Sequence, residues 1–130
     1  MMRWLVCTVG ITRIHVPTDA VEIITEYLVG PPPPLVSHYI AGIGVLDDAR
    51  LAVSVRVGFR KTMARRTARG VVLVTPRSAL HWVFEVDGTV GMITRPAPES
   101  LTSEPGWLAR SPGGERFLDV AAMTSVLEQT

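Results

Sequence analysis

The chain lacks the features that would place it in a membrane or among disulfide-bonded proteins. It has 130 residues and one cysteine, Cys7, which cannot form an internal disulfide. Because Cys7 lies in an apolar run, we expect a small buried hydrophobic residue rather than a reactive thiol. No apolar run reaches the roughly 18 residues that a transmembrane helix needs, and we identify no signal peptide around "WLVCTVGI". We therefore predict a cytoplasmic protein without direct membrane insertion.

The sequence also lacks the short motifs that carry catalysis or bind metals. It contains no HExxH, CxxC, GxSxG or phosphate-binding glycine motif. Its three histidines, His15, His38 and His81, each lack a second ligand residue at metal spacing, so we interpret each as a polar strand-face or turn residue. We predict a non-enzyme with no catalytic residue, no metal and no cofactor.

Acidic residues are absent between Asp48 and Glu85, although the net charge of the whole chain is only +1. That interval holds eight of the thirteen lysines and arginines, and its centre predicts a basic patch made of Arg56, Arg60, Lys61, Arg65, Arg66 and Arg69. Clustered cations can contact phosphates, so a basic β-barrel that binds nucleic acid is the alternative function. With only Phe59 nearby for base stacking and a pI of about 8.0, we favour a solvated or protein-facing loop.

The sequence consists mainly of short apolar runs separated by turn residues. "WLVCTVG" and "TRIHVP" flank Gly10 and predict a hairpin, and the β-branched residues of "AVEIITEYLVG" favour a strand. "YIAGIGVL" and "RLAVSVRVGF" predict another pair, while "GVVLVT" and "LHWVFEVDGTVGMIT" add two to three strands. "GPPPPL" is a stiff connector, and the segment from Arg95 to Glu115 predicts a surface loop anchored by Trp107. Residues 1–130 are thus one domain made of two barrel subdomains.

Near the end of the chain the period changes from that of a strand to that of a helix. Val120, Met123, Val126 and Leu127 recur at helical spacing, and Asp119 stands where an N-cap is expected. The pattern predicts a mainly β fold with one short C-terminal α-helix.

Two adjacent acids, Asp47 and Asp48, interrupt the strands of "HYIAGIGVLDDARLAVSV". In an extended backbone their carboxylates would point to opposite faces, which makes a poor bidentate site. We therefore predict a charged turn rather than a catalytic or metal-binding pair.

Four segments, in order, resemble the CheW family, the adaptor domain of bacterial chemosensory arrays. They are "WLVCTVGITRIHVPTDAVEII", "PPPPLVSHYIAGIGVLDDARLAVSVRV", "GVVLV" with "HWVFEVDGTV", and "GERFLDVAAM". The resemblance implies two small SH3-like five-stranded β-barrels packed together, the fold shared with the regulatory domain of the CheA kinase. It also implies a non-catalytic adaptor that couples the regulatory domain of a CheA-type kinase to the cytoplasmic tip of a chemoreceptor, in membrane-proximal receptor arrays.

The departures from the family pattern affect its partner-binding positions. The family's Arg-Gly falls on Asp47 and Asp48, and the glutamate of its "V-x-E-I" falls on Ile23, with Glu22 one position early. By correspondence with the family, the resemblance implies partner-binding positions at Val21, Glu22, Ile23, Gly42, Leu46, Asp47 and Asp48. All of them except Gly42 are expected to form one exposed face. Reversing an interfacial charge repels an unchanged partner, so we expect altered partner specificity.

Overall fold

The computed structural model describes residues 1–58, 65–98 and 105–129. Within these ranges the chain forms ten strands, one 3-10 turn at Thr18–Ala20 and one α-helix. The elements are β1 (Met2–Val9), β2 (Thr12–Pro17), β3 (Val21–Gly30), β4 (Ile40–Val45), β5 (Leu51–Val55), β6 (Arg66–Leu73), β7 (Trp82–Val86), β8 (Gly88–Arg95), β9 (Leu108–Arg110), β10 (Arg116–Leu118) and α1 (Val120–Leu127). The mainly β fold with a short C-terminal helix is confirmed. In the described ranges no helix is long and apolar enough to cross a membrane.

The first unit is a five-stranded sheet with the order β8-β1-β2-β10-β9. β1 and β2 form the predicted hairpin, with Gly10 at a positive φ of 59° in its turn. β10 then pairs with β2 in parallel, and β8 pairs with β1 in antiparallel fashion. This unit is therefore built from the two ends of the chain.

The second unit is a closed barrel with the order β3-β4-β5-β7-β6, and it comes from the uninterrupted stretch 21–86. All neighbouring strands are antiparallel except β5 and β7, which run parallel. The predicted pair of five-stranded, SH3-like units is confirmed.

The larger hydrophobic core contains side chains from both units and from α1, so it lies where they pack together. Its fully buried members include Cys7, Ile14, Val16, Val55, Val71, Phe84, Leu108 and Met123. Successive side chains of a strand point to opposite faces, so a barrel strand contributes alternate side chains to this shared core and to the barrel interior. On β7, Trp82, Phe84 and Val86 belong to the shared core, whereas Val83 belongs to the core inside the barrel. The expected burial of Cys7 is confirmed.

The helix begins as the sequence predicts. The Asp119 carboxylate accepts a hydrogen bond from the Ala122 backbone N–H at 3.1 Å, which satisfies one of the donors left open in a first helical turn. Met123 and Leu127 then point into the shared core. The spacing that predicted the helix therefore also identifies two of its buried side chains.

One expectation about a loop is wrong, and one polar residue is buried more deeply than its sequence indicates. His15 lies on β2, as the strand-face interpretation requires, but it is 2% exposed, stacks on Phe117 at 4.4 Å and faces the edge of Trp4. Trp107 is the expected anchor and is buried in the shared core, but the segment before Glu115 is not only a loop, because β9 follows Trp107 directly. β9 pairs with β10 across a Gly-rich turn. With only three residues, β9 is too short for its sequence pattern to identify a strand.

Candidate partner-binding surface

Residues 46–50 form the turn that joins β4 to β5. The Leu46 and Arg50 backbones are joined by a hydrogen bond of 2.9 Å, and the Ala49 N–H donates to the Leu46 carbonyl at 2.9 Å. Ala49 takes a positive φ of 66°, and Asp48 Oδ1 accepts from the Arg50 N–H at 3.2 Å, as short polar side chains do in turns. The two acids are exposed at the tip of this turn. The charged turn predicted from the sequence is present.

Arg50 ties this turn to the start of β3. Its guanidinium donates to both Glu22 oxygens, at 2.7 and 3.3 Å, and its Nε donates to Asp48 Oδ2 at 2.6 Å. The hydrogen bond from the Arg50 side chain lowers the pKa of Glu22. The Arg50 backbone N–H, followed by its side chain, lowers the pKa of Asp48. Three of the predicted site residues thus lie together, since Asp47 also accepts a long 3.5 Å bond from Thr25 on β3.

A β-bulge at the start of β3 explains the positions of Glu22 and Ile23. Val21 pairs with Leu73 and Ile23 pairs with Val72, so Glu22 has no counterpart in the β6 register. The extra residue locally reorients the strand. Ile23 is 53% exposed, whereas Val21 is half-buried and packs against the shared core.

The expected exposure of Leu46 is wrong, and Gly42, a predicted partner-binding position, is also buried. Leu46 is buried in the barrel core with Tyr27 and Ala52, because it continues the alternation of β4, in which Gly44 is buried and Val45 is exposed. Gly42 is buried at a φ of +153°, and a Cβ there would lie 1.9 Å from the Gly30 carbonyl oxygen. A glycine is needed there for close backbone approach rather than for contact with a partner.

An exposed apolar row lies beside the turn, and the sequence reading missed it. Leu28 on β3 pairs with Val45 on β4, which in turn pairs with Leu51 on β5. Directly paired residues of neighbouring strands project to the same face, and these three are 60%, 43% and 63% exposed. We call Leu28, Val45 and Leu51 the apolar row. The signal in the sequence was alternation, because Leu28 stands between Tyr27 and Val29, which point into the barrel.

The basic patch predicted from the acid-free interval is largely neutralised by acids from other strands. Arg66 binds Glu85 with two bonds, at 2.5 and 2.7 Å, and Arg56 binds Glu85 at 3.1 Å and Asp87 at 3.2 Å. Arg69 pairs with Glu26 at 3.1 Å. Arg65 is exposed, and Arg60 and Lys61 lie outside the described residues. This pairing does not favour phosphate binding by Arg56, Arg66 or Arg69.

These ion pairs line a groove of about 630 Å³ whose floor is the buried carboxylate of Glu85. Inside the barrel, Ser54 Oγ lies 3.4 Å from Glu85 Oε2, and Tyr27 Oη lies 2.8 Å from Ser54 Oγ. Glu85 therefore connects the barrel interior to the arginines at its surface. From the sequence, Glu85 could be identified only as the end of the acid-free interval.

The described residues contain no group of three His, Cys, Asp or Glu side chains that could hold a metal ion. A chain of buried polar groups, Tyr27–Ser54–Glu85, ends on arginines whose donors already face Glu85. What the geometry offers is an apolar row with charged neighbours, an arrangement suited to protein contact.

Neither the comparison with protein-family models nor that with curated proteins gives a match. Among solved structures, the chain is similar to the scaffolding protein TtCheW from Thermoanaerobacter tengcongensis, with a TM-score of 0.62 and 12% sequence identity. The similarity covers 90% of this chain and 82% of that protein. At this identity the likeness is one of fold, and the chain therefore has a CheW-like fold.

Proposed function

We propose that this protein is a non-catalytic adaptor of a chemotaxis-type signalling pathway and a diverged member of the CheW family. The observation that carries the proposal is the apolar row, exposed on a barrel of CheW-like fold. Its partners are the regulatory domain of a CheA-type kinase, the cytoplasmic tip of a chemoreceptor, or both. The adaptor acts in the cytoplasm, at membrane-proximal receptor arrays.

The surroundings of the apolar row resemble the anatomy of a protein interface. Interfaces place apolar side chains at their centre and charged groups at their rim. Here the Glu22–Arg50–Asp48 ion pairs and the Arg69–Glu26 pair both lie beside the row, because Glu22 and Glu26 precede Leu28 on β3. We infer that Glu22, Ile23, Asp47 and Asp48 contribute to the rim, and that Gly42 and Leu46 support it from below.

Leu51→Lys tests the centre of this surface. Leu51 is the most exposed member of the apolar row, so the substitution costs the free fold little while placing an ammonium group in a desolvated contact. Binding to the kinase regulatory domain or the receptor tip, measured by calorimetry, should weaken at least tenfold, which corresponds to about 1.4 kcal/mol. Val126→Lys is the matched control, because Val126 is an equally apolar, 50% exposed residue on α1. Equal affinities for the two variants would contradict the proposed surface.

Asp47→Arg tests the altered specificity. If a basic group of the native partner meets Asp47, the substitution weakens native binding, whereas it strengthens binding to a typical CheA regulatory domain or receptor tip. Losing one charge-assisted hydrogen bond costs about 1.5 to 3 kcal/mol, roughly ten- to a hundredfold in affinity. Asp47→Asn, which removes the charge without reversing it, should fall between. Calorimetry at two salt concentrations measures both affinities; if they move together, Asp47 has no role in partner choice.

A further inference from the structure

A second exposed apolar surface lies on the other unit, along β8. This strand stands at the end of the first sheet, and β1 is its one neighbour in the sheet order. Every residue from Thr89 to Thr94 is exposed, including Val90 at 54%, Met92 at 59% and Ile93 at 40%. Among the described residues no strand pairs with the outer side of β8, so its backbone offers unpaired hydrogen-bonding groups.

The strand carries little of the protection usual at sheet edges. Natural edge strands are blunted by charged side chains, by proline or by bulges. No charged residue occurs between Gly88 and Thr94, and the first proline is Pro96. One bulge is present, where the register with β1 shifts between Val6 and Cys7. From Gly91 to Arg95 the pairing with β1 is regular, and Thr89 and Gly88 pair again beyond the bulge, so Val90 is the one residue of β8 without a counterpart on β1.

The ends of the strand are complementary to one another in charge. Asp87 precedes β8 and Arg95 ends it, and both stand equally far from Gly91 along the chain. An antiparallel pair of β8 strands related by a two-fold axis at Gly91 therefore sets each Asp87 against Arg95 of the second copy. It also sets Met92 against the second copy's Val90. Gly91 has no atom within 4 Å of an added Cβ, so no side chain covers the face of β8 at the two-fold axis.

Intrachain contacts hold both charged side chains near the ends of the strand. Asp87 accepts from the Gly10 N–H at 2.6 Å and from Arg56 at 3.2 Å, and Arg95 contacts Glu115 through Nη1. An arginine has five N–H donors, so Arg95 retains donors for a second carboxylate. We propose that two copies of this chain associate through antiparallel pairing of β8 about Gly91, joining their first sheets into one continuous sheet.

The contact between the two β8 strands is small, so we expect the two copies to associate weakly. A single pair of short strands buries less than the roughly 1,200 Å² of a stable protein complex. The dimer should therefore be weak and form only at high protein concentration. The apolar row lies on the barrel, so the dimer leaves the proposed partner surface uncovered. This inference is independent of the proposed function.

Sedimentation equilibrium of the full chain from about 10 µM to 1 mM tests the association. We expect a dimer that grows with concentration, a more than tenfold weaker dimer for Met92→Lys, and no change for Val126→Lys. A second measurement checks the register: a mixture of Val90→Cys and Met92→Cys chains should form the mixed disulfide faster than either variant forms its own. A monomer at 1 mM, a dimer insensitive to Met92→Lys, or preferential Met92→Cys self-crosslinking would overturn the proposal.

Discussion

Replacing Glu85 with glutamine should destabilise the barrel more than any single charge change at its exposed ion pairs. Glu85 is 3% exposed and accepts three bonds from two arginines, at 2.5, 2.7 and 3.1 Å. Glutamine has nearly the same shape but keeps one acceptor oxygen and turns an NH₂ group toward a guanidinium. A donor then faces a donor, and two partly buried arginines lose their shared counter-charge.

The magnitude follows from the geometry. A hydrogen bond to a charged group contributes about 1.5 to 3 kcal/mol, and breaking a buried ion pair costs about 3 to 5 kcal/mol. The Arg56 and Arg66 side chains are 20% and 25% exposed, so water replaces part of what is lost. We expect the free energy of unfolding to fall by about 2 to 3 kcal/mol.

Urea unfolding followed by tryptophan fluorescence measures this loss. With a slope of about 2 kcal/mol per molar urea, the midpoint should fall by about 1 to 1.5 M at unchanged slope. Glu26→Gln is the matched control, because it makes the same change in an ion pair whose side chains are 64% and 51% exposed. Such a surface pair contributes about 0 to 1 kcal/mol. Equal midpoints for the two variants would refute the reasoning, and a double-mutant cycle with Arg66→Gln would separate the Arg66 contribution.

Two further predictions concern buried titratable groups. Burial lowers the pKa of His15 below its usual 6.5, against the opposing effects of the Arg116 carbonyl and Glu115. The unfolded chain therefore binds a proton at this position more readily than the folded chain. The contribution of His15 to the free energy of unfolding should be complete above about pH 6.5 and decrease as the pH falls below it. His15→Gln should flatten this pH dependence in urea titrations from pH 5 to 8. Burial raises the pKa of Cys7 from 9.0 to about 11 and leaves the side chain 0% exposed. At pH 8 a disulfide reagent should therefore label the native chain at least about a hundredfold more slowly than the urea-unfolded chain; equal rates would show that the thiol is accessible.

Much of the fold is visible in the sequence because it depends on neighbouring residues. The β1–β2 hairpin follows from two apolar runs around Gly10, and the helix start follows from Asp119. β9 was missed because its three residues become a strand only through pairing with β10. The burial of His15 was missed because its environment comes from Trp4 and Phe117, which lie far apart in the sequence.

The candidate site depends more heavily on tertiary structure. The charged turn at Asp47 and Asp48 could be predicted from local chemistry, and the burial of Leu46 follows the alternation of buried and exposed residues along β4. The apolar row appears only when three strands are placed in register. The basic patch is likewise changed by distant residues, since Glu85 lies 19 residues from Arg66 and 29 residues from Arg56 along the chain.

The division of the first sheet between the two ends of the chain has a consequence for folding during synthesis. The barrel strands, residues 21–86, emerge as one continuous piece and can pair with one another while translation continues. β1 and β2 emerge earlier but find β8 and β10 only after the barrel is complete, and a lone two-stranded hairpin is marginal in water. Leu5 and Val6 therefore remain accessible to chaperones or to other nascent chains throughout that interval. Folding of the first sheet should be the slow step, because its contacts join residues as distant as Met2 and Arg95.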